Sequence, residues 1–177
     1  IVSRDWSSDV CSSDLYDFPY KYSEQELDFL KNTENFKRPN VGNTTSLNTH
    51  VLDSQPMGKL KLYIQKIVDQ HFKKVVATLP TCSLYITQSW LNYTDKNQHH
   101  HRHHHWNSYI SGVLYLNTND DDSITFCSPT GTLEPLVLFP VEDNISNSKF
   151  WDIPVKTGSI ILFPSYLPHM VKPVTGD

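Results

Sequence analysis

The chain has 177 residues, 38% hydrophobic and 12% aromatic, which is enough apolar side chain for one sizeable core and too much for a disordered segment. Its net charge of −4, without a basic stripe, argues against a nucleic-acid surface, and no apolar run approaches the length of a membrane span. Three widely spaced cysteines (Cys11, Cys82 and Cys127) with no CxxC pair read as reduced thiols of a cytoplasmic protein rather than a disulfide scaffold.

The stretch RDWSSDVCSSDL, Arg4 to Leu15, resembles the conceptual translation of a sequencing-library adaptor. Residues 1–15 are therefore expected to be a disordered, non-native scar, and 16–177 a single domain. Ser23 followed by Glu26 is a capping-box pattern, and Leu27 and Leu30 continue it at helical spacing, which predicts a helix over 23–32. Residues 35–49, rich in Asn and Thr, read as loop. Leu60, Ile64, Ile67, Val68, His71, Phe72 and Val75 recur at three- and four-residue steps and predict an amphipathic helix over 57–76 with His71 packed on or beside its apolar stripe. After Pro80 the pattern changes to β. SLYITQSWLNY (83–93) and YISGVLYLN (109–117) read as strands, NDDDS (119–123) as a turn and SITFC (123–127) as a strand. Shorter strands are expected near 134–139, 149–155, 158–163 and 169–174, separated by turn signals. Helices followed by many short strands predict a mostly β protein, with N-terminal helices packed against a β-sandwich or cupin-like jelly roll. Trp90, Trp106 and Trp151 are expected to pack in the core or a cleft, with Trp106 also placed to line a substrate entrance. Cys82 and Cys127 are expected to be buried small hydrophobes.

Six histidines crowd the stretch HHHRHHHWNSY, 99–109. Residues i and i+2 of a strand share a face, so His103 and His105 form an HxH pair able to hold one metal ion; His99 and His101 form a second such pair, and the register stays open. The strand that follows favours the downstream pair. His99, His100 and His101 read as solvated loop, and His104 points away from its neighbours. A catalytic non-haem iron takes three protein ligands on one face. His50 and His71 belong to the helical half, which leaves His169. The stretch GSIILFPSYLPHMVKP (158–173) returns His169 to the sheet through a proline-bounded turn.

The stretches SLYITQSWLNYT, HxHWNSYISGVLYLN and TGSIILFPSYLPHMVKP together resemble the 2-oxoglutarate–iron(II) oxygenases of marine phages and bacteria, which are akin to prolyl hydroxylases. The resemblance runs from Tyr16 to Asp177. It implies a double-stranded β-helix, an iron(II) centre, 2-oxoglutarate as cosubstrate and O2. The implied reaction hydroxylates a substrate while 2-oxoglutarate loses carbon dioxide and becomes succinate. It also implies that His103, His105 and His169 hold the metal, that Ser111 hydrogen-bonds 2-oxoglutarate and that Tyr93 flanks the same carboxylate. Two departures stand out. Better-known relatives carry a carboxylate where His105 stands, so this site is more positive by one charge unless Asp95, Asp120, Asp121 or Asp122 substitutes. The Arg or Lys that clamps 2-oxoglutarate in such enzymes is expected about ten residues after the last histidine. The sequence ends eight residues after it, with only Lys172 at the wrong spacing, so the chain reads as a fragment lacking its final strand.

The substrate, a small molecule or a peptide, is not specified by these residues. Two alternatives share the features: a non-redox cupin-like module that binds metal or sugar, and a phage structural protein whose histidines do not converge.

Overall fold

The computed structural model describes residues 14–77, 79, 81–128, 141, 142, 144 and 147–176. The proposed adaptor segment thus lies outside the described residues up to position 13. The expected strand at 134–139 lies wholly outside them. The chain divides into two compact units, one comprising 1–18 with 96–177 and the other 19–95.

In the unit of 19–95, α1 (Glu24–Thr33) begins at the capping box read from the sequence. Glu26 accepts from the Ser23 backbone N–H at 2.7 Å, the Ser23 hydroxyl at 2.8 Å and the Tyr20 hydroxyl at 2.6 Å. This carboxylate is buried. Burial alone raises its pKa, but the donors from Tyr20, Ser23 and the Leu60 backbone outweigh that and hold it below the usual carboxylate range. α2 (Gly58–His71) follows two short 3₁₀ turns and continues as a π-helical turn, Phe72–Val76. Its inward stripe of Leu60, Ile64, His71 and Phe72 is buried, together with Met57 just ahead of it. The packed reading of His71 is therefore correct.

The segment 35–49 is not a plain loop. It contains a hairpin of β2 (Lys37–Pro39) and β3 (Thr44–Ser46), closed by a turn in which Asn40 N–H donates to the Asn43 carbonyl and Gly42 takes φ +88°. Conversely, only Asn92–Tyr93 (β4) of the strand predicted over 83–93 joins the sheet, next to β3, and Ser89 makes a lone bridge to His50. The alternation is present in 83–89, but alternation assigns side chains to faces and supplies no ladder partner. The Gln65 side chain instead donates to the Leu84 carbonyl at 2.9 Å.

The other unit holds two antiparallel sheets. The first has the order β1 (Asp14–Asp17), β9 (Ser159–Pro164), β6 (Ile110–Leu114). Asp14 and Leu15 are the first two residues of β1 and pair with Leu162 and Ile161. The second has the order β5 (His100–His103), β10 (His169–Val171), β7 (Ser123–Cys127), β8 (Phe150–Pro154). β9 is central and carries apolar residues on both faces, which explains its unbroken run Ile160, Ile161, Leu162, Phe163, all buried. The core joins the two sheets: Ile161 and Phe163 of β9 meet Ile124 and Phe126 of β7, with Val155 and Leu167 completing the cluster. This is the sandwiched antiparallel arrangement expected of a mostly β jelly roll.

Cys127 is buried as expected, but Cys82 is exposed, its N–H closing a turn onto the Leu79 carbonyl at 3.0 Å. Trp106 is 80% exposed and so is not a core residue; its ring meets the His104 ring edge-on at 4.3 Å between centroids. The β8–β9 turn depends on Gly158 at φ +77°. A Cβ there finds only the Phe18 carbonyl oxygen at 3.9 Å, so the cost of a side chain is conformational rather than steric. Gly158→Ala is expected to destabilise the chain by about 1–2 kcal/mol, with Gly158→Asn milder, as measured by urea unfolding.

Candidate metal centre

Register brings the first two histidines together. β10 pairs antiparallel with β5 so that His169 and His103 are direct cross-strand partners, and the ring centroids are 4.3 Å apart. Opposed side chains on one sheet face lie about 5 Å apart at Cβ, which is the span a shared cation needs. His105 follows the end of β5. Its backbone N–H donates to the Ser165 carbonyl at 2.9 Å, and this holds its ring 5.0 Å from that of His103 and 5.2 Å from that of His169. One ligand nitrogen from each of His103, His105 and His169 lies within 4.8 Å of the other two. The three imidazoles that the sequence singles out therefore meet.

Two of the rings are oriented by their own backbone. His103 Nδ1 lies 2.8 Å from the His101 carbonyl, and His169 Nδ1 lies 3.0 Å from the Leu167 carbonyl. A carbonyl has no proton to give, so each Nδ1 carries the hydrogen and each Nε2 keeps a lone pair. His169 also packs edge-on against Phe163 at 4.7 Å, inside the apolar core. Burial lowers the pKa of all three rings, with mutual repulsion among the histidines adding to it: His105 falls to about 4 and His169 to about 3. The rings are neutral at pH 7, the form that binds metal.

The stability consequence has a definite sign. The unfolded chain takes up protons on these histidines near pH 6.5, whereas the folded chain refuses them until about pH 4 for His105 and about pH 3 for His169. Stability of the metal-free chain is therefore complete above pH 6.5 and is expected to decline as the pH falls through 6.5 towards 3. Urea midpoints at stepped pH measure this; a midpoint that is flat from pH 7 to 5 contradicts it.

The structure places the remaining predicted residues as follows. Ser111, on β6 opposite Phe163, shares a hydrogen bond with the buried Ser165 hydroxyl at 2.8 Å. Ser165 in turn accepts the His105 N–H through its carbonyl, so Ser111 connects to the histidine group through one residue. Tyr93 lies on β4 in the other unit, where the Lys37 ammonium sits 4.0 Å above its ring. Its buried hydroxyl has no hydrogen-bond partner among the described residues. Among the described residues no carboxylate joins the histidines as a potential ligand, neither Asp95 nor Asp120, Asp121 or Asp122. Asp122 instead closes its turn by accepting from the Asn119 N–H at 2.8 Å. Lys172 pairs with Asp152 at 2.5 Å. The expectation that 100 and 101 are loop is corrected: β5 spans His100–His103 and is anchored by β10. A tract of histidines carries no β periodicity, so only the partner strand reveals it.

A family described as "Putative 2OG-Fe(II) oxygenase" matches residues 88–177. The chain belongs to this family. The chain also superposes on the crystal structure of a Pseudomonas putida prolyl-4-hydroxylase with a TM-score of 0.60, over 94% of this chain and 88% of that chain, at 11% sequence identity. That likeness is one of fold, and it identifies the two sheets as a double-stranded β-helix. No curated protein sequence matches the chain. No helix among its described residues is long and apolar enough to cross a membrane.

The residues present fit a divalent metal: three neutral imidazoles, two with their tautomer set by a carbonyl, converge beside an apolar wall. For 2-oxoglutarate the fit is partial. The Ser111–Ser165 hydroxyl pair offers hydrogen bonds, while Lys172, the cation nearest His169 in sequence, is engaged by Asp152.

Proposed function

We propose that this chain is an iron(II)- and 2-oxoglutarate-dependent dioxygenase that hydroxylates a C–H bond of its substrate. The supporting observation is the convergence of His103, His105 and His169 within 4.8 Å in a chain of this family. Bound iron with 2-oxoglutarate and O2 supplies the oxidising power, one oxygen atom going to the substrate and the other to succinate as carbon dioxide leaves. The chain's own residues hold and shield the centre. His103 and His169 present fixed Nε2 lone pairs, and His105 closes the face. Phe163 and Phe126 exclude water behind His169. The Ser111 hydroxyl, kept in place by Ser165, would be available to hydrogen-bond a carboxylate of 2-oxoglutarate. Trp106 (80% exposed), next to His105 in the chain, offers an exposed aromatic surface for a flat or apolar substrate group.

An all-imidazole set lacks the charge of a ligating carboxylate, which favours a non-redox metal-binding module as the second reading. One experiment separates the two. Anaerobic iron(II) with saturating 2-oxoglutarate is expected to give a weak visible charge-transfer band that is absent in the His103→Ala, His169→Ala variant. Metal binding without any such band in the wild-type chain overturns the oxygenase reading in favour of the module.

A further inference from the structure

A second group of three imidazoles sits on the same strand. One ligand nitrogen from each of His100, His101 and His103 lies within 4.8 Å of the other two. Regular pairing opposite β10 would place residue 101 across from Val171, given His169 opposite His103. Instead Val171 pairs with His100, so β5 carries one extra residue there. Such a bulge breaks the two-residue alternation and turns positions 100 and 103 to one side. Accordingly the His100 and His103 rings stack at 4.3 Å, and His101 lies 5.3 Å from His100 and 5.0 Å from His103. The buried His101 Nδ1 has no hydrogen-bond partner among the described residues. A buried ring nitrogen without a partner is costly unless something occupies it.

We propose that His100, His101 and His103 form a second metal site, mutually exclusive with the first, that takes a late divalent transition ion such as Ni(II), Cu(II) or Zn(II). Exclusivity follows from His103. Its Nδ1 hydrogen is committed to the His101 carbonyl at 2.8 Å, which leaves one lone pair on the ring and hence one cation at a time. Three imidazoles without a carboxylate bind the later ions of the divalent series more tightly than iron(II), a preference that the first group, of the same composition, shares. An ion held at His100 and His101 withdraws His103 from His105 and His169. The site therefore acts as a built-in inhibitory switch for any chemistry at the first group, a consequence that rests on the oxygenase reading, whereas the site itself does not.

The test is calorimetric titration of the metal-free chain with Ni(II) alone, with folding of every variant checked by far-UV circular dichroism. The wild-type chain is expected to bind one ion. The His105→Ala, His169→Ala variant is expected still to bind one ion, and adding His100→Ala and His101→Ala to it to weaken that binding by at least about tenfold. If His169→Ala compromises folding, His105→Ala alone breaks the first group, since His105 is half-buried and outside any strand. Two ions per wild-type chain overturn the exclusivity. Equal affinity with and without His100 and His101 overturns the site. Neither result depends on whether the iron and 2-oxoglutarate band appears.

Discussion

His169→Ala is expected to weaken iron(II) binding at the His103, His105 and His169 group by at least about 100-fold. Loss of a supporting hydrogen bond alone costs about 10–100-fold at such sites, and here a ligand itself is removed. The effect is sharpened by position. His169 is 5% exposed, its ring lies against His103 and Phe163, and nothing else on β10 offers a nitrogen or a carboxylate. The same substitution has a second signature that a merely disruptive change lacks. It removes the histidine whose pKa is lowest, at about 3, so the acid-induced loss of stability between pH 6.5 and 3 should become shallower even if the chain is weaker at pH 7. Competition for iron(II) with a chromophoric chelator, and urea midpoints at pH 7, 6 and 5, measure the two effects. Wild-type affinity, or an unchanged pH slope, counts against the assignment of His169.

Phe163→Ala is expected to cost about 3–5 kcal/mol, the usual range for emptying an aromatic core position. Phe163 is fully buried on the central strand β9 and meets Phe126 edge-on at 5.0 Å and the His169 ring at 4.7 Å. Domains of this size hold only about 5–15 kcal/mol in total, so this change consumes about a fifth of the margin or more. Because Phe163 also forms the wall behind His169, metal affinity should fall with it, whereas Ile160→Val, on the same strand, should cost about 0.5–1.5 kcal/mol and leave metal affinity alone. Thermal and urea unfolding, paired with iron(II) titration, check the contrast. A Phe163→Ala loss below about 1 kcal/mol would sink this account of the core.

Much of the arrangement was legible in the residues because it rests on local periodicity. The Ser23–Glu26 box marks the start of α1, the apolar steps from Leu60 to Phe72 mark α2, and SITFC becomes β7 as read. The convergence of the three histidines was legible for a different reason. HxH beside a strand, and a histidine returned by a proline-bounded turn, are spacings whose use does not depend on neighbouring residues. What stayed hidden depends on partners. β5 looks like a polar loop until β10 is laid beside it, and the extra residue near His101 has no signature in a run of like side chains. The hairpin at 37–46 is held by Asn–Asn contacts across Gly42, so its composition reads as loop even though its turn is tight. The 83–93 run shows the reverse failure, a strand-like pattern with a side chain in place of a neighbouring strand.

The acceptors that aim His103 and His169 are peptide oxygens two positions upstream of each ring. Residue-by-residue mutagenesis cannot delete a peptide oxygen, so a conventional scan of this protein will find the histidines and miss the carbonyls that orient two of them. Replacing the amide that follows His101 or Leu167 with an ester, which makes that carbonyl a poorer acceptor, would expose a contribution that the genetic code leaves untouched.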